Sequence, residues 1–296
     1  MAALFAAAGE MAHAADFCRS SAQAALNSCR ASAQADCQLA LGVCDNLTDP
    51  AARKACRKQA LMDLKDARGE CKDQFDARLA VCQRLGPAPY APVIAASNFV
   101  STIDNPFLPL VPGTTFYYLG QTSGGLESNV VSVTHNTRVI LGATCVEVHD
   151  VGYIDGVLQE DTLDWYAQDK DGNVWYMGEN SEEIVDGLIV SLEGSWTAGV
   201  DGAKPGIIMK AHPAIGDFYR QEFSLGTAED IAEVISLTES VTVPVGPFTD
   251  CLETNETSPL EPDALERKFY AVGVGNVLVI DDETGERLEL VRVTTN

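Results

Sequence analysis

The stretch CDNLTDPAARKAC, from Cys44 to Cys56, marks the point at which the first part of the chain turns back on itself. Aspartate is a favoured helix N-cap and proline a favoured first helical residue, so Asp49-Pro50 predicts the start of a returning helix. Outward from this turn, the cysteines form pairs whose residue numbers sum to 100: Cys44 with Cys56, Cys29 with Cys71, and Cys18 with Cys82. Residues equidistant from the turn of an antiparallel helical hairpin face one another. The spacing therefore predicts three disulfides that staple such a hairpin.

The segment around these cysteines has the composition of two long helices. Residues 17–84 are rich in alanine, and the cysteines recur at spacings of 11 and 15 residues, both close to a whole number of helical turns. We predict helices over about 17–45 and 50–84, within a Cys-rich hairpin of residues 15–85. Glycine and prolines then end the second helix and make residues 86–97 a Pro-rich linker. A two-helix hairpin has little core, so its disulfides should matter for stability.

Cys37 is left over from this pattern, because Asp63 occupies the position opposite it across the hairpin. An unpaired cysteine in a secreted protein suggests an intermolecular bond or a reactive thiol. Two interpretations remain open: a homodimer linked through Cys37, and a buried, inert free thiol.

The first residues, MAALFAAAGEMAHAAD, are typical of the end of a secretory signal, and we interpret residues 1–14 as a signal-peptide remnant. A basic segment before the apolar stretch is missing, which a start codon assigned too far downstream would explain; the alternative is a native terminus. Nine cysteines, six of them with mirrored spacing, favour an oxidising compartment. The predicted location is therefore the bacterial periplasm or the exterior.

The net charge of −23 is concentrated in the second part of the chain. Residues 15–88 carry 11 Lys/Arg and 9 Asp/Glu, whereas residues 89–296 carry 9 and 33. Such an acidic surface repels nucleic acid and anionic lipid headgroups, so neither is expected as a partner. The sequence has no long uninterrupted apolar run, and no transmembrane segment is predicted. The acidic surface either binds cations or is merely well solvated.

From residue 98 onward the pattern changes to short strands rich in Val, Ile, Thr and aromatic residues. The clearest are Thr114–Gly120, Ser128–His135, Arg138–Leu141, Thr144–Tyr153 and Leu158–Gln168, with turns at Gly124-Gly125, Asp155-Gly156 and Asp171-Gly172-Asn173. Closely spaced strands without helices between them predict an antiparallel β-barrel or sandwich. The expected fold class is α+β: the disulfide-stapled antiparallel helical hairpin, followed by an acidic all-β domain over residues 98–296.

A faint repeat within the β domain suggests an internal duplication. Three motifs occur in the same order in both halves of the domain. They are Cys145, Tyr166-Ala167 and Gly172-Asn173-Val174 in the first half, and Cys251, Tyr270-Ala271 and Gly275-Asn276-Val277 in the second. In a duplicated domain, Cys145 and Cys251 would occupy equivalent strands. We therefore predict a fourth disulfide between them, the alternative being two separately buried thiols.

Residues from about 100 to 296 resemble, as a run of motifs, a widespread set of uncharacterised secreted bacterial proteins. The motifs that carry this resemblance are Asn105-Pro106-Phe107 through Pro112-Gly113-Thr114, DWYAQDKDGNVWYMGE from Asp164, EGSWTAGVDGAKPGIIM from Glu193, and FYAVGVGNV from Phe269. More distantly, Val243–Phe248 followed by Tyr-Ala-x-Gly-Val-Gly is similar to periplasmic lipoprotein-like β-barrels grouped as DUF3108-like or TapB-like. That resemblance implies an open, half-barrel carrier of an apolar ligand, and it carries over no catalytic residue.

Motifs of known enzymes are missing from the sequence. No GxSxG, HExxH or Walker A pattern occurs, and neither a catalytic residue nor a cofactor is predicted. Asp169, Asp171 and Asn173 place oxygens at alternate positions and make a weak calcium candidate. The glycine and the twelfth residue of this stretch do not fit an EF-hand loop, so a hairpin turn is the preferred interpretation.

The least regular stretch of the β domain is residues 194–223, where GSWTAGVDGAKPG interrupts the strands. It contains three of the nine basic residues of this domain. The candidate ligand-binding residues are Trp196, Lys204, Lys210, His212, Tyr219 and Arg220. A cationic pocket there would receive a carboxylate or phosphate head while Trp196 covers an apolar tail; the alternative is ordinary ion pairing with nearby acids.

Together these features favour a non-enzymatic extracytoplasmic binding or scaffold protein, in which the β domain holds an apolar or amphipathic small molecule. The hairpin would serve as a spacer or as a docking arm for a protein partner, since its Ala-rich, nearly neutral surface suits packing against another helix. Two other classes remain open: a secreted hydrolase-type enzyme that uses residues 194–223, and a structural surface or assembly protein.

Overall fold

The computed structural model describes residues 16–296, so the predicted signal remnant lies outside the described residues. Two helices come first: α1 (Phe17–Asp45) and α2 (Pro50–Leu85). Both begin at an aspartate N-cap, Asp16 and Asp49, whose carboxylate accepts a hydrogen bond from the backbone N–H three residues further on. Their bounds confirm the predicted hairpin to within a residue. Within the described range, no helix is both long enough and apolar enough to cross a membrane.

Three disulfides join α1 to α2 and confirm the mirrored pairing: Cys18–Cys82, Cys29–Cys71 and Cys44–Cys56. Their Cα–Cα distances of 5.5–5.7 Å are usual for disulfides. Cys37 is only 4% exposed and forms no disulfide among residues 16–296. This burial favours the inert thiol over a disulfide-linked homodimer.

Replacing both Cys29 and Cys71 with serine is expected to lower the free energy of unfolding by about 2–4 kcal/mol, because this bond holds the middle of a hairpin that has little core. Urea denaturation followed by circular dichroism measures the change. The control is Cys37→Ser, which alters an unpaired cysteine of the same hairpin and should have the smaller effect. Equal losses in the two variants would contradict the stabilising role of the disulfide.

After a 3-10 helix at Ala96–Asn98, the described chain continues in seventeen strands. They are β1 (Ile103–Asn105), β2 (Leu108–Leu110), β3 (Thr114–Thr122), β4 (Gly125–Ile140), β5 (Ala143–Ile154), β6 (Val157–Gln168), β7 (Val174–Val185), β8 (Leu188–Ser191), β9 (Trp196–Thr197), β10 (Lys204–Met209), β11 (Phe218–Arg220), β12 (Glu222–Phe223), β13 (Ile231–Val243), β14 (Gly246–Ser258), β15 (Glu261–Ala271), β16 (Gly275–Asp281) and β17 (Arg287–Thr295).

Strands β1 and β2 pair with each other, and the other fifteen strands of the described chain form one antiparallel sheet. Most neighbours in this sheet are consecutive in sequence, but β17 pairs with β3 and so joins the last strand to the first long one. β11 pairs with β13, while β12 pairs with β10. The strand order of the sheet begins with β11 and ends with β12. Residues 218–223, which we call the closing segment, thus contain both terminal strands. They close the sheet into a barrel.

The closing segment approaches β10 very closely at Gly206. A Cβ atom added there would lie 2.3 Å from the carbonyl carbon of Gln221 and 2.5 Å from the carbonyl oxygen of Arg220. Any side chain at this position would push the two strands apart. Glycine is therefore required by the close backbone approach.

Two predictions for the β domain are wrong. Ser128–His135 and Arg138–Leu141 do not form separate strands, because both belong to β4, which continues through a register shift between Val133 and Thr137. The predicted Cys145–Cys251 disulfide is also wrong: both are buried free thiols, which was the stated alternative. The two thiols belong to different hydrophobic clusters of the barrel. Cys145 in β5 and Cys251 in β14 are therefore held in separate parts of the core.

The hairpin is docked on the barrel through α2. The Arg78 guanidinium donates three hydrogen bonds, of 2.6–3.1 Å, to the carboxylate of Glu229, and both side chains are buried. Nearer the end of α2, Arg84 pairs with Glu233 at 2.5 Å. These contacts fix the hairpin beside the closing segment.

Candidate functional site

The barrel encloses a cavity of about 270 Å³ that is lined mostly by carboxylates, which we call the acidic cavity. Among the described residues that line it are seven acids and one lysine: Asp150, Glu160, Asp164, Glu179, Glu222, Asp230 and Glu256, with Lys268. They lie on strands that are far apart in the sequence. Barrel closure therefore concentrates negative charge in one cavity.

A second cavity of about 360 Å³ adjoins the acidic cavity and is more apolar; we call it the apolar cavity. The two share lining residues that include Asp150, Tyr166 and Lys268. The apolar lining includes Leu110, Phe116, Val131, Val148, Tyr270 and Leu288. The interior of the barrel thus has a strongly acidic end and a more apolar end, whose lining still includes Glu127, Asp150, Asp164 and Glu266.

The acidic end continues toward the surface of the protein. A recess of about 520 Å³ shares Glu179 and Glu222 with the acidic cavity and is also lined by the exposed Glu193 and Glu261. Glu193 and Glu261 in turn lie beside the hairpin, next to Gln74. The route into the acidic cavity is therefore itself acidic, and the hairpin flanks it.

Burial raises the pKa of several carboxyls in the acidic cavity. Loss of hydration raises the pKa of Asp150 to about 6 and that of Glu179 to about 7. It also raises the pKa values of Asp164 and Glu222 well above their usual range, and neighbouring carboxylates add to both shifts. At neutral pH Asp150 is therefore mostly ionised and Glu179 about half ionised, and a bound cation would favour the ionised forms of the carboxyls in this cavity.

The charge of Lys268 is already compensated. Its ammonium group lies 2.9 Å from a carboxylate oxygen of Glu256 and 3.2 Å from one of Glu266. Burial alone would raise the pKa of Glu256, but the charge of Lys268 lowers it overall. The other acids of the cavity are left without a cationic partner among the described residues that line it.

Several buried polar atoms that line the acidic cavity have no hydrogen-bond partner within residues 16–296. They include Oε2 of Glu222 and Nε2 of Gln221, in side chains that are only 5% and 2% exposed, and Oδ1 of Asn129. An unsatisfied buried polar atom costs about 1–3 kcal/mol. Such atoms are accounted for if a ligand supplies the missing donors and acceptors.

Aromatic rings form one wall of the acidic cavity. Tyr166 and Tyr176 are stacked with ring centroids 4.8 Å apart, and the Tyr176 hydroxyl oxygen lies 2.5 Å from a carboxyl oxygen of Asp164 and 3.0 Å from one of Glu179, with a single proton to donate to one of them. Trp196 packs edge-on against Tyr176 at 5.4 Å. The hydrogen bonds hold both carboxylates against the rings, in a combination suited to binding a cation.

The part of the chain that the structure describes holds no cluster of three or more His, Cys, Asp or Glu side chains suited to a metal ion. At the weak calcium candidate, the Asp169 carboxylate accepts hydrogen bonds from the backbone N–H groups of Asp171 and Asn173 and from the indole of Trp175. These contacts stabilise the turn between β6 and β7. The preferred interpretation of this motif as a hairpin turn agrees with the structure.

The structure brings together three of the six candidate ligand-binding residues. Lys204, Tyr219 and Arg220 line a cavity between the hairpin and the barrel. The other three do not line this cavity: Trp196 packs in the barrel, Lys210 pairs with Asp217 at 2.7 Å and lies over the ring of Tyr219, and His212 is exposed. Within residues 194–223, Glu222 lines the acidic cavity, whereas Lys204 lines the cavity between the hairpin and the barrel.

Sequence reasoning missed the acidic cavity, although one signal was present. Glu160, Thr162, Asp164 and Tyr166 alternate along β6, and all four line the cavity. Period-two alternation of polar residues normally marks the solvent face of a strand. Here the polar face is turned inward, which sequence alone does not indicate.

Comparisons of this chain with known protein families, curated proteins and solved structures found no match.

Proposed function

We propose that this protein is an extracytoplasmic bacterial binding protein whose barrel holds an amphipathic organic cation, an amine attached to an apolar group. The observation that carries this proposal is the interior itself, with its acidic and apolar ends side by side. The three disulfides support an oxidising compartment. The position of the hairpin beside the acidic recess supports a role as a docking arm near the entrance.

The charge of the ligand is inferred from the acidic cavity. Its carboxylates would repel an anion, and an ammonium group carries both the missing positive charge and up to three hydrogen-bond donors. Oε2 of Glu222 and Oδ1 of Asn129 are buried acceptors that make no hydrogen bond of normal geometry among residues 16–296, although the indole of Trp196 lies close enough to offset part of the rise that burial causes in the pKa of Glu222. The stacked rings of Tyr166 and Tyr176 add a surface that attracts cations.

The apolar part of the ligand is inferred from the neighbouring cavity. Each methylene group that leaves water contributes about 0.8 kcal/mol, and the side chains that line the apolar cavity offer such an environment. The two volumes, about 270 and about 360 Å³, suit a small molecule.

Isothermal titration calorimetry at pH 8 with three probes tests the proposal. Octylamine carries both a charge and a tail, octanol lacks the charge, and spermidine carries charges without a tail. We expect octylamine to bind most tightly, because it alone fills both ends of the interior. Failure of octylamine to bind, or tighter binding of octanol or spermidine, would overturn the proposal.

Glu222→Gln is expected to weaken octylamine binding by about 10-fold or more, because a charge-assisted hydrogen bond contributes about 1.5–3 kcal/mol. The substitution keeps the shape of the side chain and removes its charge. Glu283→Gln, at an exposed turn, is the matched control and should leave the affinity unchanged. The same affinity in both variants would place the amine elsewhere.

A further inference from the structure

Another cavity lies outside the barrel, where the hairpin meets the closing segment; we call it the junction cavity. Its volume is about 430 Å³, and it is lined by the beginning of α1, the end of α2 and the closing segment. The apolar part of its lining includes Phe17, Leu85, Ile207, Phe218, Phe223 and Leu225. It therefore resembles a ligand pocket in being mainly apolar with a few charged groups.

The charges of the junction cavity are opposite in sign to those inside the barrel. Of the described residues that line it, Arg78, Lys204 and Arg220 are basic and Glu229 is the single acid. Arg78 and Glu229 satisfy each other through three hydrogen bonds. Lys204 and Arg220 remain as excess positive charge, in a protein whose net charge is −23.

Arg220 is the least compensated of these groups. Its side chain is 8% exposed, and its Nη1 atom has no hydrogen-bond partner in the described part of the chain. The guanidinium carbon lies 4.5 Å from the ring centroid of Phe223 and 5.6 Å from that of Tyr90. These rings hold the guanidinium in place without supplying a carboxylate acceptor. Burial lowers the pKa of Arg220, which agrees with this incomplete compensation.

We propose that the junction cavity binds an amphipathic oxyanion, a carboxylate or phosphate group attached to an apolar chain. The guanidinium of Arg220 donates hydrogen bonds to the head group, because its planar fork matches such oxyanions. Lys204, whose ammonium donates to the carbonyl oxygen of Tyr90, adds a second positive charge. The apolar side chains of both helices and the closing segment cover the chain of the ligand.

Isothermal titration calorimetry with octanoate and octyl phosphate tests this site in the intact protein, and the tighter probe identifies the head group. We expect at least one of them to bind, and Arg220→Met to weaken that binding by about 10–100-fold. Arg292→Met is the matched control, because Arg292 also lies over an aromatic ring, that of Tyr117, but outside the cavity. If neither probe binds, or if the two variants bind equally, the proposal is overturned.

A second variant covers the case in which Arg220→Met does not fold. Leu225 lines the cavity and is 41% exposed, so Leu225→Glu should fold while placing a negative charge beside the head group. We expect it to weaken binding of the oxyanion probe by at least about 10-fold, and unchanged binding would contradict the proposal.

The two proposed sites can be tested separately. Folded Arg220→Met should bind octylamine like the wild type, and Glu222→Gln should bind octanoate or octyl phosphate like the wild type. If folded Arg220→Met instead loses both kinds of ligand, the junction cavity is not a separate site.

Discussion

Glu229→Gln is expected to lower the free energy of unfolding by about 3–5 kcal/mol, the usual effect of removing one partner of a buried ion pair. Glu229 is 1% exposed and accepts three hydrogen bonds from Arg78, which is 5% exposed. It also accepts a hydrogen bond from the backbone N–H of Gly226 at 2.8 Å. Its charge further favours the charged form of the nearby Arg220. Neutralising Glu229 therefore leaves the buried guanidinium of Arg78 without its carboxylate and removes a through-space attraction that favours the charge of Arg220.

Arg78→Met should have a smaller effect than Glu229→Gln. Without Arg78, the carboxylate of Glu229 keeps the hydrogen bond from Gly226 and the attraction of Arg220. The loss of Arg84, whose pair with Glu233 is far more exposed, should change stability by about 0–1 kcal/mol, so Arg84→Met is the control. Urea denaturation of the three variants measures this order. If Arg78→Met is as destabilising as Glu229→Gln, the attraction between Glu229 and Arg220 does not contribute to stability.

Glu179→Gln is expected to stabilise the ligand-free protein at alkaline pH relative to the wild type. Burial raises the pKa of Glu179 from 4.5 to about 7, which corresponds to about 3 kcal/mol. The folded state holds this proton more tightly than the unfolded state. The stability that Glu179 contributes is therefore fully present below about pH 4.5 and is lost as the pH rises through about 7. Glutamine does not titrate and avoids this loss.

Denaturant titrations of the wild type and Glu179→Gln between about pH 4 and pH 8 measure this effect. The stability difference should shift in favour of the variant by about 3 kcal/mol across that range. The exposed Glu283→Gln serves as the control and should show no comparable shift. A difference that does not change with pH would show that Glu179 is hydrated in the folded protein.

The hairpin and the barrel differ in how far the sequence predicts them. The hairpin follows from Asp49-Pro50 and the mirrored cysteines, because both ends of each contact are fixed by counting from one turn. The strands also follow from local pattern, but their closure does not. It depends on one segment, residues 218–223, pairing with β10 on one side and β13 on the other. No periodicity in that short segment indicates two partners.

The two candidate sites are likewise only partly predictable from the sequence. Arg220 and Lys204 were recognised because positive charge is rare in the β domain, and they do share a cavity. Their apolar cover comes from the hairpin as well as the barrel, which sequence proximity does not suggest. The acidic cavity was missed because carboxylates such as Asp164 and Glu222 look like ordinary surface residues until the closed barrel turns them inward.

The pairing of β17 with β3 also orders the events of folding. These strands begin and end the barrel, so it cannot close until the chain has been synthesised through β17. The hairpin contacts are nearer in sequence, since even its widest disulfide spans 64 residues. Local contacts form faster than distant ones. The stapled hairpin can therefore form before the barrel closes, and it then offers Arg78 and Arg84 as a preformed surface on which the closing barrel docks.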